Sequence, residues 1–175
     1  ALINSTMEVG RVELVPLPPQ CQLVDLRAVL DRVFASIAPQ AQAEGLVFRN
    51  DSPAGGDWTM PGGEERLEQM VTNLMVNAIK YTDRGEVRVC LMRDQTGKTL
   101  ELRVQDTGVG IADEEQKKIV EPFYRVTGDH TQKVEGIGLG LRTVQTVAEQ
   151  HGGNISLESR LGRGSTFTIR LPLGG

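Results

Sequence analysis

The chain has few of the side chains that usually build a metal centre or a nucleophilic active site. Its 175 residues include two cysteines and two histidines. Cys21 and Cys90 form no CxxC pair, so their spacing predicts neither a metal site nor a disulfide framework. Few cysteines and no disulfide framework are typical of a protein in the reducing cytosol. With only His130 and His151 available, a zinc enzyme or a histidine-based triad is disfavoured.

Long apolar runs and a strong charge imbalance are also missing. No stretch approaches the ~20 apolar residues of a membrane helix, and no signal peptide is visible. The net charge of −4 argues against a basic nucleic-acid-binding surface and is too small to favour disorder. The length suits one domain with a core of its own. We therefore expect a globular domain with no nucleic-acid partner.

Residues 64–85, EERLEQMVTNLMVNAIKYTDRG, carry two stripes of side chains at helical spacing. Asn73, Asn77 and Lys80 project roughly 100–140° away from the apolar stripe. Asparagine competes for backbone hydrogen bonds in a helix, so two of them at i, i+4 favour a polar target. A carboxamide oxygen suits Mg²⁺ and an ammonium suits a phosphate, while a solvated helix flank is the alternative that the helix alone leaves open. The apolar stripe consists of Leu67, Met70, Val71, Leu74, Met75, Ala78 and Ile79.

Proline, glycine and the hydrophobic period predict the other elements. Residues 1–20 are predicted to be a linker because three prolines crowd its end. Residues 24–44 predict a helix with Asp25 as its N-cap. Further elements are strands at 46–49, 57–60, 86–91 and 100–105, a helix at 113–120, a helix after 136–140, and a hairpin of 155–159 with 166–171. This order predicts an α+β fold, a two-layer sandwich with helices on one face of a mostly antiparallel sheet.

Two glycine-rich segments follow the predicted strands and helix. Residues 136–140, GIGLG, lead into a helix N-terminus, where free amides and the dipole attract phosphate. The surrounding sequence is neither a Rossmann fingerprint nor a P-loop. Asp106 ends a strand just before Gly108 and Gly110, where its carboxylate either accepts a hydrogen bond from an exocyclic amine or only forms a turn. The polar residues 127–135 between the two segments predict a mobile loop.

Four motifs in this order and spacing resemble the ATP-binding catalytic domain of sensor histidine kinases, in the GHKL (Bergerat-fold) superfamily. NLMVNAIKYT at 73–82 resembles the N box, DTGVG at 106–110 the G1 box, EPFYR at 121–125 the F box, and GIGLGL at 136–141 the G2 box. GRGSTF at 162–167 also fits the closing hairpin of that family. The resemblance covers about residues 20–173 and implies that 127–135 form an ATP lid.

The resemblance implies ATP and Mg²⁺ as cofactors and assigns a role to each matching residue. Asn77 would coordinate Mg²⁺, and Lys80 would reach the phosphates. Asp106 would accept from the adenine amine, with Ser165 assisting through water. Asn73 stands where related ATPases carry a glutamate base; a carboxamide cannot take a proton, which favours transfer to another nucleophile over water activation. The other implied nucleotide-binding residues are Tyr81, Gly108, Gly110, Ile111, Phe123, Tyr124, Arg125, Gly136, Ile137, Gly138, Leu139, Gly140 and Leu141.

Histidine kinases phosphorylate a histidine that an acidic residue follows, on a helix of a separate dimerisation domain. Here His130 precedes Thr131 and His151 precedes Gly152, so neither fits. Residues 1–20 resemble a linker and the tail of that domain, and 21–175 the catalytic domain. The implied partners are the histidine-bearing dimerisation domain of the same full-length protein and a downstream response regulator. We expect a monomeric, cytoplasmic fragment of a homodimeric parent, which the membrane could anchor.

Other functions on the same fold stay open from the sequence. One is a pseudokinase that binds nucleotide and regulates or scaffolds a partner. Another is a serine kinase of the anti-sigma type, against which the complete F box and the N-terminal lead-in argue. A gyrase-like ATPase is least favoured because Asn73 replaces the expected acid. Tyr81 is either a neighbour of the nucleotide or ordinary packing at a helix end.

Overall fold

A computed structural model describes residues 22–119 and 140–173 of the chain. In chain order the described elements are β1 (Gln22–Asp25), α1 (Leu26–Ala43), β2 (Val47–Asn50), β3 (Thr59–Gly62), α2 (Glu64–Lys80), β4 (Glu86–Arg93), β5 (Thr99–Asp106), α3 (Asp113–Gln116), α4 (Gly140–Gln150), β6 (Asn154–Arg160) and β7 (Gly164–Pro172).

Five strands form the main sheet in the order β2-β4-β5-β7-β6. Strand β2 runs parallel to β4, and every other neighbouring pair is antiparallel. The last strand in sequence, β7, therefore lies between β5 and β6. Strands β1 and β3 form a separate two-stranded antiparallel sheet. The predicted α+β sandwich with a mixed, mostly antiparallel sheet is confirmed.

Helix α2 lies at the centre of the core. All seven members of its predicted apolar stripe are buried. They share one hydrophobic cluster with apolar residues of α1, α4 and the inner face of the sheet. Burying so many full side chains is the main stabilising contribution to the fold, at about 1.5–3 kcal/mol for each large one. The helix that carries the asparagine stripe is thus also the helix that the core holds most firmly.

Helix α1 begins where the sequence predicts its cap. The Asp25 carboxylate accepts hydrogen bonds from the main-chain N–H groups of Arg27 and Ala28, at 2.9 and 3.2 Å. These bonds satisfy two of the donors that a helix start leaves open. Beyond the other end of the helix, Gly45 has φ +71°, a backbone conformation that glycine adopts at little cost.

Several predicted boundaries were wrong for identifiable reasons. Val24 belongs to β1 instead of the first helix, because it pairs with Met60 across the small sheet. For the same reason β3 lies two residues later than predicted. Helix α2 ends at Lys80 instead of continuing to residue 85, with Tyr81 as its C-cap. Helix α3 covers four residues of the predicted 113–120, and the predicted lid at 127–135 lies outside the described residues.

Candidate nucleotide-binding site

The polar stripe of α2 meets the first residue of α4. Asn73 and Asn77 are half-buried and Lys80 is exposed. The Asn73 Nδ2 donates to the Gly140 carbonyl oxygen at 3.5 Å. A Cβ placed on Gly140 would lie 3.5 Å from Nδ2 and 3.7 Å from Oδ1 of Asn77. Such a Cβ would make ordinary van der Waals contact with both carboxamides, so the start of α4 lies directly beside them.

This corner of the molecule suits a phosphate chain that carries its own metal. The N-terminus of an α-helix attracts anions through its open N–H groups and its dipole. Within 22–119 and 140–173, no group of three or more His, Cys, Asp or Glu residues could hold a metal ion. A cation at Asn77 would receive one neutral oxygen from that side chain and need its remaining ligands from phosphate and water. That donor set fits Mg²⁺, which commonly keeps several waters and binds substrate phosphates.

Asp106 is the buried acid of the second predicted motif. It is the last residue of β5, and it is only 6% exposed. Its Oδ1 accepts hydrogen bonds from the main-chain N–H of Gly108 at 2.9 Å and of Ser165 at 3.3 Å. Both bonds fall on the same oxygen, so Oδ2 receives none from the described residues. The carboxylate therefore forms the turn and still keeps one oxygen to accept a further hydrogen bond.

Burial also changes the acidity of Asp106. Desolvation raises the pKa of Asp106 from its ordinary value of 3.8 to about 6, because the low-dielectric surroundings disfavour the charge. The hydrogen bonds from Gly108 and Ser165 act in the opposite direction and are the smaller effects. At neutral pH the group is ionised and can only accept hydrogen bonds. A buried acceptor of this kind is suited to recognise a donor such as an amine.

The turn after Asp106 is wedged between the end of α2 and the β6–β7 hairpin. The Val109 N–H donates to the Tyr81 carbonyl oxygen at 3.1 Å, and the Val109 carbonyl accepts from the Gly162 N–H at 2.7 Å. A Cβ on Gly108 would overlap the Tyr81 carbonyl, and one on Gly110 would overlap the carbonyl of Arg160. These two glycines are therefore required by close backbone packing as well as by the turn.

A row of polar side chains crosses the inner face of the sheet at this end. Asp106 is paired with Ser165 across β5 and β7, and Ser165 with Ser159 across β7 and β6. The Ser159 and Ser165 hydroxyl oxygens are 2.8 Å apart. The Ser159 Oγ also accepts from the main-chain N–H of Ile111 at 2.8 Å. The β6–β7 hairpin thus contacts both the carboxylate and the turn.

Sequence reasoning missed Ser159 and Gln116. The Gln116 Nε2 donates to the carbonyl oxygens of Ile111 and Ser159, at 3.0 and 3.1 Å, and so ties α3 to the same hairpin. One signal for Ser159 was available, because it follows Ile155 and Leu157 at every second position and so shares the inward face of β6 with them. A hydroxyl on an otherwise apolar face is unusual. Gln116 offered no comparable signal.

Some of the predicted site residues form two groups in the structure, and the others lie outside the described residues. Asn73, Asn77, Lys80, Gly140 and Leu141 lie along α2 and the start of α4, and Leu141 packs against the core. Asp106, Gly108, Gly110, Ile111 and Ser165 lie at the turn and the hairpin, where the main chain of Tyr81 joins them. Phe123, Tyr124, Arg125, Gly136, Ile137, Gly138 and Leu139 lie outside the described residues.

Comparison with known proteins decides the family. Residues 62–175 match the family described as histidine kinase-, DNA gyrase B-, and HSP90-like ATPase. The chain belongs to this family. Its relatives include the sensor histidine kinase RppB of Synechocystis, 39% identical over 153 residues, which are 87% of this chain and 33% of RppB. The sensor protein SrrB of Staphylococcus aureus is 33% identical over 171 residues, which are 98% of this chain and 29% of SrrB.

Solved structures of histidine kinases have the same fold. Full-length ShkA in complex with AMPPNP matches with a TM-score of 0.84 and 25% identity, over 99% of this chain and 35% of that one. The mycobacterial sensor histidine kinase MprB matches with a TM-score of 0.74 and 26% identity, over 87% of this chain and 97% of that one. The predicted membership of the GHKL superfamily is confirmed, and the chain is an ATPase domain of the sensor histidine kinase type.

The chain spans about a third of the length of RppB and of SrrB. Among the described residues, no helix combines the length and the apolar character needed to cross a membrane.

Proposed function

We propose that this chain is the Mg·ATP-binding catalytic domain of a sensor histidine kinase and transfers the γ-phosphoryl group to a histidine on a separate dimerisation domain. The observation that carries the proposal is that two polar groups suited to different parts of a nucleotide lie on elements of the same hydrophobic core. A buried acceptor carboxylate stands at the end of β5, and two carboxamides stand against the start of α4. The carboxylate suits the amine of a purine base, and the carboxamides beside a helix start suit Mg²⁺ and phosphates.

At the base end, Asp106 accepts a hydrogen bond from the adenine amine. Three observations support this role: one carboxylate oxygen accepts no bond from the described residues, the group is buried, and it is ionised at neutral pH. Ser165 lies directly across the ladder and assists. Tyr81, Ile111 and the glycines of the turn shape the surroundings of the base, the glycines by permitting close backbone contact.

At the phosphate end, Asn77 supplies an oxygen to Mg²⁺ and Lys80 supplies positive charge. When bound there, Mg²⁺ would supply positive charge to offset that of the phosphates. The N-terminus of α4 adds open N–H groups, and we assign further phosphate and lid contacts to Phe123, Tyr124, Arg125, Gly136, Ile137, Gly138, Leu139 and Leu141. Catalysis is then mainly positioning and charge neutralisation.

The residue at position 73 favours transfer over hydrolysis. Asn73 faces the start of α4, where a general base would have to act on an attacking water. A neutral carboxamide cannot accept that proton, so a gyrase-like ATPase is disfavoured. The acceptor must then be supplied from outside this site. The described histidine, His151, is held between Val147 and Gly63, with its ring 2.7 Å from the Val147 oxygen, which disfavours it as an acceptor.

The experiment mixes this chain with γ-labelled ATP, Mg²⁺ and the dimerisation domain of its full-length protein. We expect acid-labile label on that domain, and none when its acceptor histidine is replaced by glutamine. Acid-stable label would favour the serine kinase, and no label with intact ATP binding would favour the pseudokinase. Either result would contradict the proposal. We also propose onward transfer of the phosphoryl group to a response regulator, which chase labelling would test. We propose that the parent protein is a homodimer and this fragment a monomer, which sedimentation would test.

A further inference from the structure

The Ser159 hydroxyl joins three parts of the base end of the site. Its Oγ lies 2.8 Å from the Ile111 nitrogen, 2.8 Å from the Ser165 Oγ and 3.0 Å from the Gly164 carbonyl oxygen. A serine hydroxyl has one proton to donate and two lone pairs to accept with. The Ile111 N–H must donate to it, and the Gly164 carbonyl can only accept from it.

These constraints fix the direction of the bond between the two serines. When Ser159 gives its single proton to Gly164, the Ser165 hydroxyl must donate to Ser159. All three contacts of Ser159 are then satisfied at once. The Ser165 Oγ is left with its lone pairs as acceptors, beside the ionised carboxylate of Asp106 across the β5–β7 ladder.

We propose that Ser159 is a positioning residue that sets base specificity, by holding the Ser165 hydroxyl as an acceptor and fixing the turn at Ile111. Two neighbouring acceptors, Asp106 and Ser165, then face the base. They favour a purine whose exocyclic group donates, such as adenine, and oppose one with a carbonyl there, such as hypoxanthine. The inference rests on the proposed function and specifies how its site selects the nucleotide.

The contacts of the β6–β7 hairpin explain why the Ser159 hydroxyl affects both the turn and Ser165. The Ser159 side chain accepts a hydrogen bond from the main chain of the turn, and the Ser159 carbonyl oxygen accepts one from the Gln116 side chain. Removing the hydroxyl frees the Ile111 N–H and lets the Ser165 hydroxyl rotate, so that it can donate as well as accept. Discrimination between an amine and a carbonyl then weakens.

Calorimetric titration of the whole chain with Mg·ATP and with Mg·ITP tests the proposal. Wild type should prefer ATP. Ser159→Ala should weaken ATP binding about fivefold, the size of one neutral hydrogen bond, while ITP binding changes less, so that the ATP/ITP ratio of affinities falls. Ser159→Thr, which keeps a hydroxyl, should restore the ratio.

Ser156→Ala is the matched control. Ser156 is on the same strand, is similarly exposed, and its hydroxyl contacts Thr168 and Arg170 on the opposite face of the sheet. It should leave both affinities unchanged. An unchanged ATP/ITP ratio in Ser159→Ala, or failure of Ser159→Thr to restore the ratio, would overturn the inference.

A second variant keeps the test decisive if Ser159→Ala is too unstable to titrate. Ser165→Ala should lower the ATP/ITP ratio by itself. An unchanged ratio in Ser165→Ala would overturn the inference. Failure of wild type to bind ATP at all would instead contradict the proposed function, so the two failures are distinguishable.

Discussion

The two ends of the proposed site are built in different ways. At the base end the groups are buried or tied to the main chain: Asp106 accepts two N–H bonds, and the turn beside it is held by α2 and the hairpin. At the phosphate end the groups are half-buried or exposed side chains on α2, and the described contact with α4 is a 3.5 Å bond from Asn73.

Because of this difference, substitutions at the two ends should affect nucleotide binding and folding stability differently. A change at the base end alters the packing of the sheet, so it affects folding and binding together. A change at the phosphate end removes a side chain that the core does not need, so it should affect binding alone. Variants at the two ends test this distinction, and their expected effects range from a large loss of stability at the turn to a small loss of affinity at Lys80.

The largest effect is expected for Gly110→Ala. Gly110 and Gly97 both have φ +69°, so alanine costs about 1–2 kcal/mol of backbone strain at either. Only at Gly110 would the new Cβ also overlap a carbonyl, that of Arg160. Unfolding by denaturant, followed through the buried Trp58, should show a loss of about 3 kcal/mol for Gly110→Ala and about 1 kcal/mol for Gly97→Ala. Equal losses would mean that the turn is not tightly packed.

Asp106→Asn should stabilise the protein and weaken its binding of ATP. The folded pKa of about 6 lies above the ordinary 3.8, so the folded state binds this proton more tightly, and the group's contribution to stability is lost as pH rises from about 4 to 6. Removing the charge should therefore raise the unfolding free energy by about 2–3 kcal/mol at pH 8 and by little at pH 4.

The same variant tests recognition of the base. Wild-type ATP affinity should fall as pH drops through 6, and Asp106→Asn should bind weakly at every pH. The ratio of the two affinities cancels the titration of ATP itself. A ratio that is constant between pH 5 and 8 would contradict the assigned role of the carboxylate.

Asn77→Ala should lower Mg·ATP affinity at least tenfold, or about 1.4 kcal/mol. The metal loses its protein oxygen, so affinity without Mg²⁺ should hardly change. Thermal unfolding should stay close to wild type, because the side chain is only half-buried. Gln69→Ala removes a carboxamide two turns earlier on the same helix and should alter neither property. Undiminished metal-dependent binding in Asn77→Ala would remove Asn77 from the site.

The smallest effect is expected for Lys80→Ala. Exposed charges interact weakly, so ATP affinity should fall about threefold at low salt and the difference should shrink as salt rises. Lys98→Ala makes the same change of net charge in the β4–β5 turn, away from the site. Equal effects of the two variants would show that Lys80 acts only through the overall charge.

The sequence predicts the local elements well and the long-range ones poorly. The period-two alternation in β4 and β5 and the apolar stripe of α2 are local signals, and the structure confirms them. Helical periodicity places Val24 in a helix, whereas the four residues of β1 become a strand only by pairing with β3. Local periodicity contains no information about that partner.

The site divides along the same line. Asp106 and the asparagines are recognisable from the sequence because each occupies an unusual position in its own element. The row formed by Asp106, Ser165 and Ser159 cannot be recognised from the sequence, because it depends on the register of β5, β7 and β6. More than fifty residues separate Asp106 from the two serines along the chain. Ser165 is recognisable only through the resemblance to a family, and Ser159 only from the structure.

The most direct test of the central claim is calorimetric titration of this chain with ATP, with and without Mg²⁺. The account predicts saturable binding with a Kd between about micromolar and millimolar, or roughly −8 to −4 kcal/mol, that tightens when Mg²⁺ is added. Absence of saturable binding under both conditions would contradict it, and the buried carboxylate and the asparagine stripe would then be parts of the architecture alone.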